Sequence, residues 1–188
     1  MAGILIGVSI FIAAVFIAIM LVIIMTYNEL VRLNNSVKNS FAQIDAQLQR
    51  RLDLIPNLVE TVKGFVDYEK ELLEDVTASR GVYLNAASNG EKLAVNSRLT
   101  ANLRTLFAVA ENYPELRGNT NFLNLQDELS EAEDKVTFAR QFYNDAVTIY
   151  NNKLLMFPGN IIGNMFGFQE EELLCADEEA QETPKVQF

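Results

Sequence analysis

From Ile4 to Met25 the chain has no polar face. Every residue is apolar, small or hydroxylic, Gly7 and Ser9 are mild interruptions, and no charge appears. A bilayer core takes about 20 apolar residues as a helix, whereas the core helices of soluble domains keep a polar side. Residues 1–26 therefore predict a transmembrane anchor. Nothing breaks a helix between Met25 and Tyr27, so the anchor is expected to run on into the body without a hinge. From Leu30 the pattern changes. Leu30, Leu33, Val37, Phe41, Ile44, Leu48 and Leu52 step by three and four residues, and Arg32, Asn34, Asn35, Asn39, Gln43 and Gln47 occupy the other faces. That is an amphipathic helix with one apolar stripe.

Asp53-Leu54-Ile55-Pro56 interrupts this stripe. Proline removes a backbone donor, clashes with the carbonyl four residues earlier and pushes the preceding residue out of the helical region. A tight turn is expected here in preference to a kink, with Asp53 capping the next helix. That second helix is expected from about Asn57 to Ala87, with Leu58, Val62, Phe65, Leu72, Val76 and Tyr83 inward and Gly64 at a close helix crossing. Ser88-Asn89-Gly90 reads as a loop. A third helix covers Glu91 to about Asn112 on Val95, Leu99, Leu103, Leu106 and Ala110, and Tyr113-Pro114 ends it. A fourth, capped by Thr120, runs to about Leu155. Its Phe122, Leu125, Leu129, Ala132, Val136, Ala139, Tyr143, Ala146 and Tyr150 alternate steps of three and four, a heptad-like seam for near-parallel packing.

The fold expected is all-α: a single-pass transmembrane helix followed by an antiparallel, up-and-down four-helix bundle of long helices over residues 27–156. Residues 157–168 differ. Phe157, Phe166, Phe168, Ile161, Ile162 and Met165 come with Gly and Pro and no charge, a composition poor for a helix. This segment either packs back on the bundle or meets a membrane surface or another subunit. Residues 169–188 carry Glu170, Glu171, Glu172, Asp177, Glu178, Glu179 and Glu182, and are expected to be a solvated, disordered tail.

The formal charge of −10 falls wholly outside the anchor and argues against a nucleic-acid partner. With no histidine and one cysteine, Cys175, the usual zinc and haem sites, a histidine base and an internal disulfide are unavailable, and no cofactor is expected. The acidic surroundings of Cys175 disfavour its thiolate. The apolar run lacks the basic n-region and A-x-A site of a cleaved signal peptide and exceeds its ~7–15-residue core, so an uncleaved anchor is the better reading. Arg32 and Lys38, with Arg50 and Arg51 beyond, place the body on the cytoplasmic side of the cell (inner) membrane and a short N-terminus outside.

The carboxylates Asp45, Asp53, Glu60, Asp67, Glu69 and Glu71 are scattered along amphipathic helices, which speaks for solvated faces more than for a catalytic pair. Arg50 and Arg51, beside Asp53, point about 100° apart on a helix. One can face a bundle carboxylate while the other faces a partner or phosphate, and an ion pair within the bundle is the plainer reading. Tyr143-Asn144 and Tyr150-Asn151 repeat at seven residues and echo Tyr27-Asn28. Such pairs suit a packing seam whose hydroxyl and amide need partners; a ligand site is the alternative. Tyr27 stands at the bilayer edge, where tyrosine is common. The interaction candidates are therefore Arg50, Arg51, Asp53, Phe157, Phe166 and Phe168, with Tyr27 at the membrane interface.

Several of these residues also carry a resemblance. Tyr27-Asn28-Glu29-Leu30-Val31, Gln43-Ile44-Asp45-Ala46-Gln47-Leu48 and Arg50-Arg51-Leu52-Asp53-Leu54-Ile55-Pro56-Asn57-Leu58-Val59 are similar to LemA family proteins. So are Val62-Lys63-Gly64-Phe65, Ala110-Glu111-Asn112-Tyr113-Pro114, Asn121-Phe122, Leu125-Gln126, the two Tyr-Asn pairs and Phe157-Pro158. The resemblance spans about Tyr27 to Phe168. Phe65 replaces the family's usual Tyr, and an expected His near Asp67-Tyr68-Glu69 is absent. The resemblance implies an N-terminal anchor, a cytoplasmic helical bundle and no catalytic residues, and some relatives are associated with magnetosome membrane formation. Together the sequence points to a membrane-anchored scaffold that self-associates as a homo-oligomer and organises or shapes the lipid bilayer, with no enzymatic activity. The alternative is an adaptor or regulator of another membrane protein, such as a protease or sensor.

Overall fold

The computed structural model describes residues 1–65 and 70–174. Every regular element among them is helical: α1 Ala2–Lys63, α2 Lys70–Leu84, α3 Asn89–Ala110, α4 Pro114–Arg117, α5 Thr120–Leu155 and α6 Gly159–Phe166. They form two compact units, one of Met1–Ala42 with Arg140–Leu174, the other within Gln43–Ala139. Helices α1 and α5 contribute to both.

In the first unit α1 and α5 run antiparallel. Glu29 pairs with Lys153 at 2.7 Å, and the Phe41 and Tyr143 rings meet edge to face at 5.8 Å. Leu30, Val37 and Phe41 of α1 and Tyr143, Val147, Tyr150 and Leu154 of α5 are all buried. Val147 takes the seam position expected of Ala146, because the 143–147–150–154 spacing keeps the stripe in phase. The apolar start of α1 is the opposite. Its apolar run is unburied, and the helix is long and apolar enough to cross a membrane.

In the second unit α1 meets three helices. Asp45 and Asp53 of α1 reach Tyr83 and Arg80 of α2, so those two helices run antiparallel. Asp45 and Arg51 reach Lys92 and Asn96 of α3, which runs parallel to α1. Arg51 also reaches Glu133 of α5. Ile44, Leu48, Leu52, Ile55, Leu58 and Val62 line the α1 side, and Val95, Leu99, Leu103, Leu106 and Ala110 are all buried on α3.

The turn expected at Pro56 does not form. Pro56 lies inside α1, which continues to Lys63. The residues beyond it explain this: Ile55, Leu58, Val59 and Val62 are all buried in phase with Leu48 and Leu52, while Pro56 itself is exposed. An interior proline costs about 3 kcal/mol, and four buried aliphatic side chains at about 1.5–3 kcal/mol each outweigh it. Asp53 is consequently mid-helix and caps nothing. The chain leaves the helix at Gly64 instead, where Phe65 N–H donates to the Val62 carbonyl. A Cβ on Gly64 would meet nothing, so that glycine serves no close crossing.

Other boundaries shift for local reasons. Ser88 caps α3 by accepting from Glu91 N–H, and Glu91 Oε2 accepts from Ala87 N–H, so Asn89 and Gly90 start the helix rather than a loop. Asn119, not Thr120, caps α5, its Oδ1 accepting from the N–H groups of Asn121 and Phe122. Pro114 starts the short α4, which buries Leu116. Residues 159–166 form a helix despite two glycines, because close packing demands them. A Cβ at Gly159 would collide with the Lys153 carbonyl oxygen, and one at Gly163 with the Leu154 side chain. Gly167, at φ +76°, ends α6 in the left-handed conformation.

Candidate functional site

The described residues place the sequence candidates in three settings. The first is a ring cluster where the apolar run ends. The Tyr27 ring meets Phe166 tilted, at 4.7 Å between centroids, and Phe168 edge to face, at 5.8 Å. Just beyond Tyr27 on α1, Glu29 holds Lys153, and that hydrogen bond keeps the Glu29 carboxyl below its ordinary value. Three of the candidate residues, Tyr27, Phe166 and Phe168, thus come together, whereas Phe157 stands apart with 80 % of its surface exposed. Phe166, Ile161 and Met165 remain more than half exposed on α6, while Ile162 and Gly163 are buried beneath.

The second setting uses the Tyr-Asn repeat. Asn151 and Asn144 each grip the backbone of the extended segment 169–174 with both ends of the side-chain amide. Asn151 Nδ2 donates to the Glu171 carbonyl at 2.8 Å and its Oδ1 accepts from Glu171 N–H at 3.0 Å. Asn144 does the same to Leu174, at 2.9 Å each way. Tyr150 and Tyr143 donate their hydroxyls to the carbonyls of Gln169 and Glu172. Burial raises both phenol pKa values, and nearby Glu171 adds to the effect. The heptad spacing of the two pairs puts four polar groups on one line of α5, in step with an extended chain. Residues 169–174, expected as the start of a disordered tail, are therefore held in place along α5. The tail's later acids and Cys175 lie outside the described residues, as do Asp67 and Glu69. The partner for the Tyr-Asn seam is the chain's own strap, not a ligand.

That grip has a measurable strength. Asn151→Ala is expected to lower the stability of the strap by about 1–3 kcal/mol, because it leaves the Glu171 N–H and carbonyl without partners. Amide hydrogen exchange should accelerate at Glu171 and Leu174 while α5 itself stays protected. Unchanged exchange at both amides would contradict the role of Asn151 as a clasp.

The third setting is the polar centre of the second unit. The Arg51 guanidinium is buried. It donates to Asn96 Oδ1 at 2.7 Å and to Thr100 Oγ1 at 2.9 Å, and it pairs with Glu133. Burial lowers its pKa, and Glu133 opposes that shift. Arg51 is therefore the ion pair internal to the fold, and its neighbour Arg50 is the exposed member. Less than two turns before it, Asp45 accepts from Tyr83 Oη at 2.5 Å and from Lys92 Nζ at 2.7 Å. Burial would raise the Asp45 pKa, but the bonds from Lys92 and Tyr83 together hold it below the ordinary value. Burial and the Asp45 carboxylate push the Tyr83 phenol up. Asp53 is exposed and only loosely paired with Arg80, at 3.6 Å. Sequence periodicity does not single out Asn96, Thr100 or Glu133. Their signal is faint: Asn96 and Thr100 sit one turn apart, each directly after a core residue of α3.

Nothing in these settings assembles reactive chemistry. The charged groups are consumed by pairs that tie helices together, and no cluster of three or more His, Cys, Asp or Glu side chains suited to a metal occurs among the described residues.

Comparison with known proteins adds kinship. Residues 40–188 match the model of the LemA family. The chain is 25 % identical to Protein LemA of Metamycoplasma hominis, over 82 % of this chain and 74 % of that one. It is 25 % identical to Magnetosome protein MamQ 2 of Paramagnetospirillum magneticum, over 90 % of this chain and 72 % of that one. Magnetosome protein MamQ of Magnetospirillum gryphiswaldense is 22 % identical over the same shares.

Proposed function

The chain belongs to the LemA family, and from that premise we propose a membrane-anchored helical scaffold that self-associates and organises or shapes the bilayer. The observation that carries this reading is the continuity of α1. One helix, Ala2–Lys63, begins as an unburied apolar run of spanning length and ends as a core-forming strut. Within the first unit the same helix thus carries both the apolar run and the buried residues Leu30, Val37 and Phe41. In this reading residues 1–26 span the inner membrane once, the N-terminus is outside, and the body is a cytoplasmic antiparallel four-helix bundle. The directions of α1, α2 and α3 in the second unit support such a bundle. The relatives named magnetosome proteins support a role at a membrane.

Crosslinking of the full-length protein in its native membranes tests self-association. A ladder of homo-oligomers is expected. A species that stays monomeric at cellular concentration would overturn the scaffold. The second reading is an adaptor for another membrane protein, motivated by the exposed Arg50 and Phe157. It predicts a single heterologous crosslinked partner in place of the ladder.

A further inference from the structure

The geometry points to α6 as a second membrane contact: an uncharged helix that lies in the bilayer interface beside the anchor. The inference rests on the reading of residues 1–26 as a transmembrane anchor and adds to it a site with lipid as the ligand.

Three observations carry it. The first is level. The antiparallel register set by Glu29–Lys153 brings the end of α5 to the height at which the apolar run of α1 stops, with Phe157 at about the level of Met25. Tyr27, against Phe166 and Phe168, holds α6 there. The strap 169–174 then runs back along α5, from Tyr150 towards Asn144, away from the anchor. The second is amphipathicity. Ile162 and Gly163 face the unit's core, whereas Met156, Phe157, Ile161, Met165 and Phe166 are exposed by 51 to 80 %. In water, a group of exposed apolar side chains of this kind is a liability, and at a membrane edge it is an insertion surface. The third is charge. Residues 154–168 hold no ionisable side chain, and the acids Glu170, Glu171 and Glu172 follow. A peripheral helix drawn to anionic lipid carries Lys and Arg on its polar face. This one carries none, so its occupant is the acyl boundary of the bilayer, reached by apolar burial and by tethering rather than by charge. Tethering matters, because an eight-residue helix gains little by itself. Its attachment at the mouth of the anchor keeps it at the surface and makes docking an intramolecular step.

The protein contains no tryptophan, so a single introduced indole reports its own surroundings. The full-length variants F157W, I161W, F11W and F142W are reconstituted in phosphatidylcholine vesicles with and without brominated acyl chains. Phe142 is exposed on α5 near the level of Phe41, well away from the anchor. The expected result is emission about twofold lower with brominated lipid for F157W and I161W, as for residues ~5–10 Å into the boundary, and no change for F142W. The quenching should persist at ~1 M salt, since no charge holds α6 down. Quenching of F11W without quenching of F157W and I161W would overturn the α6 contact and leave the anchor standing, the result expected if a second copy or a protein partner covers this face. An unquenched F11W would instead overturn the anchor reading on which the proposal rests.

Discussion

Arg51→Ala is expected to destabilise the helical body by about 3 kcal/mol, the low end of the cost of breaking a buried ion pair, because the Glu133 side chain it leaves behind is one-third exposed. The Arg51 side chain is 4 % exposed and joins three helices through one guanidinium: α1 supplies it, α3 receives it at Asn96 and Thr100, and α5 at Glu133. Truncation leaves the buried Asn96 amide without its donor and leaves Glu133 without its counter-charge. Arg51→Lys should recover only part of the loss, because a single ammonium lacks the planar fork that reaches several acceptors at once. Arg50→Ala, at the adjacent exposed position, should stay within about 0.5 kcal/mol of the parent. Denaturant unfolding of the four proteins in detergent, followed by circular dichroism, makes the comparison. An Arg51→Ala protein that unfolds with the parent would show that this network does not hold the helices in register. The double variant Arg51→Met with Glu133→Met completes the test. It should cost less than the two single changes added together, because neither charge is then left without its partner.

Deleting residues 1–26 is expected to transfer the protein from the membrane pellet to the soluble fraction with its helical body intact. The deleted residues are almost wholly unburied, Thr26 apart: the large exposed side chains from Ile4 to Met25 stand at 42 % or more of their full surface. Their removal therefore uncovers little core, and the helicity of residues 27–174 should persist. A milder change gives a graded result. Phe16→Arg, near the middle of the run, adds about 2.5–3.5 kcal/mol to the insertion cost and should reduce, without abolishing, membrane retention. Carbonate-washed membranes and immunoblotting measure both. If most of the truncated protein stayed in the washed pellet, the apolar run would not be the principal anchor.

Much of this architecture is legible in linear pattern. The apolar run is legible from composition and length, and the α1 stripe from Leu30 to Leu52, the α3 stripe and the ends of α5 follow from helical periodicity, which depends on residue spacing alone. Arg51 as an internal ion pair is also the plainer of the two readings of Arg50-Arg51. The misreadings cluster where local signals meet long-range packing. At Pro56 the local rule asks for a turn, and the buried Ile55, Leu58, Val59 and Val62 decide otherwise. At residues 159–166 the glycines argue against a helix. Their actual use is to let α6 approach Lys153 and Leu154, contacts set by packing rather than by helix propensity.

The sequence by itself determined that the protein is helical, that one end of it is suited to a bilayer, and which faces of its long helices are buried. Those properties depend on composition and on spacing within single elements. Only the tertiary structure decided which polar groups find one another. Asn151 with the strap, Arg51 with Asn96, Thr100 and Glu133, and Tyr27 with Phe166 join residues 20 to 139 positions apart. The physical reason is directional. Apolar burial is nearly indifferent to partner and shows as a pattern, whereas a hydrogen bond or ring contact needs a particular partner at a particular angle. That partner is set by how the helices pack.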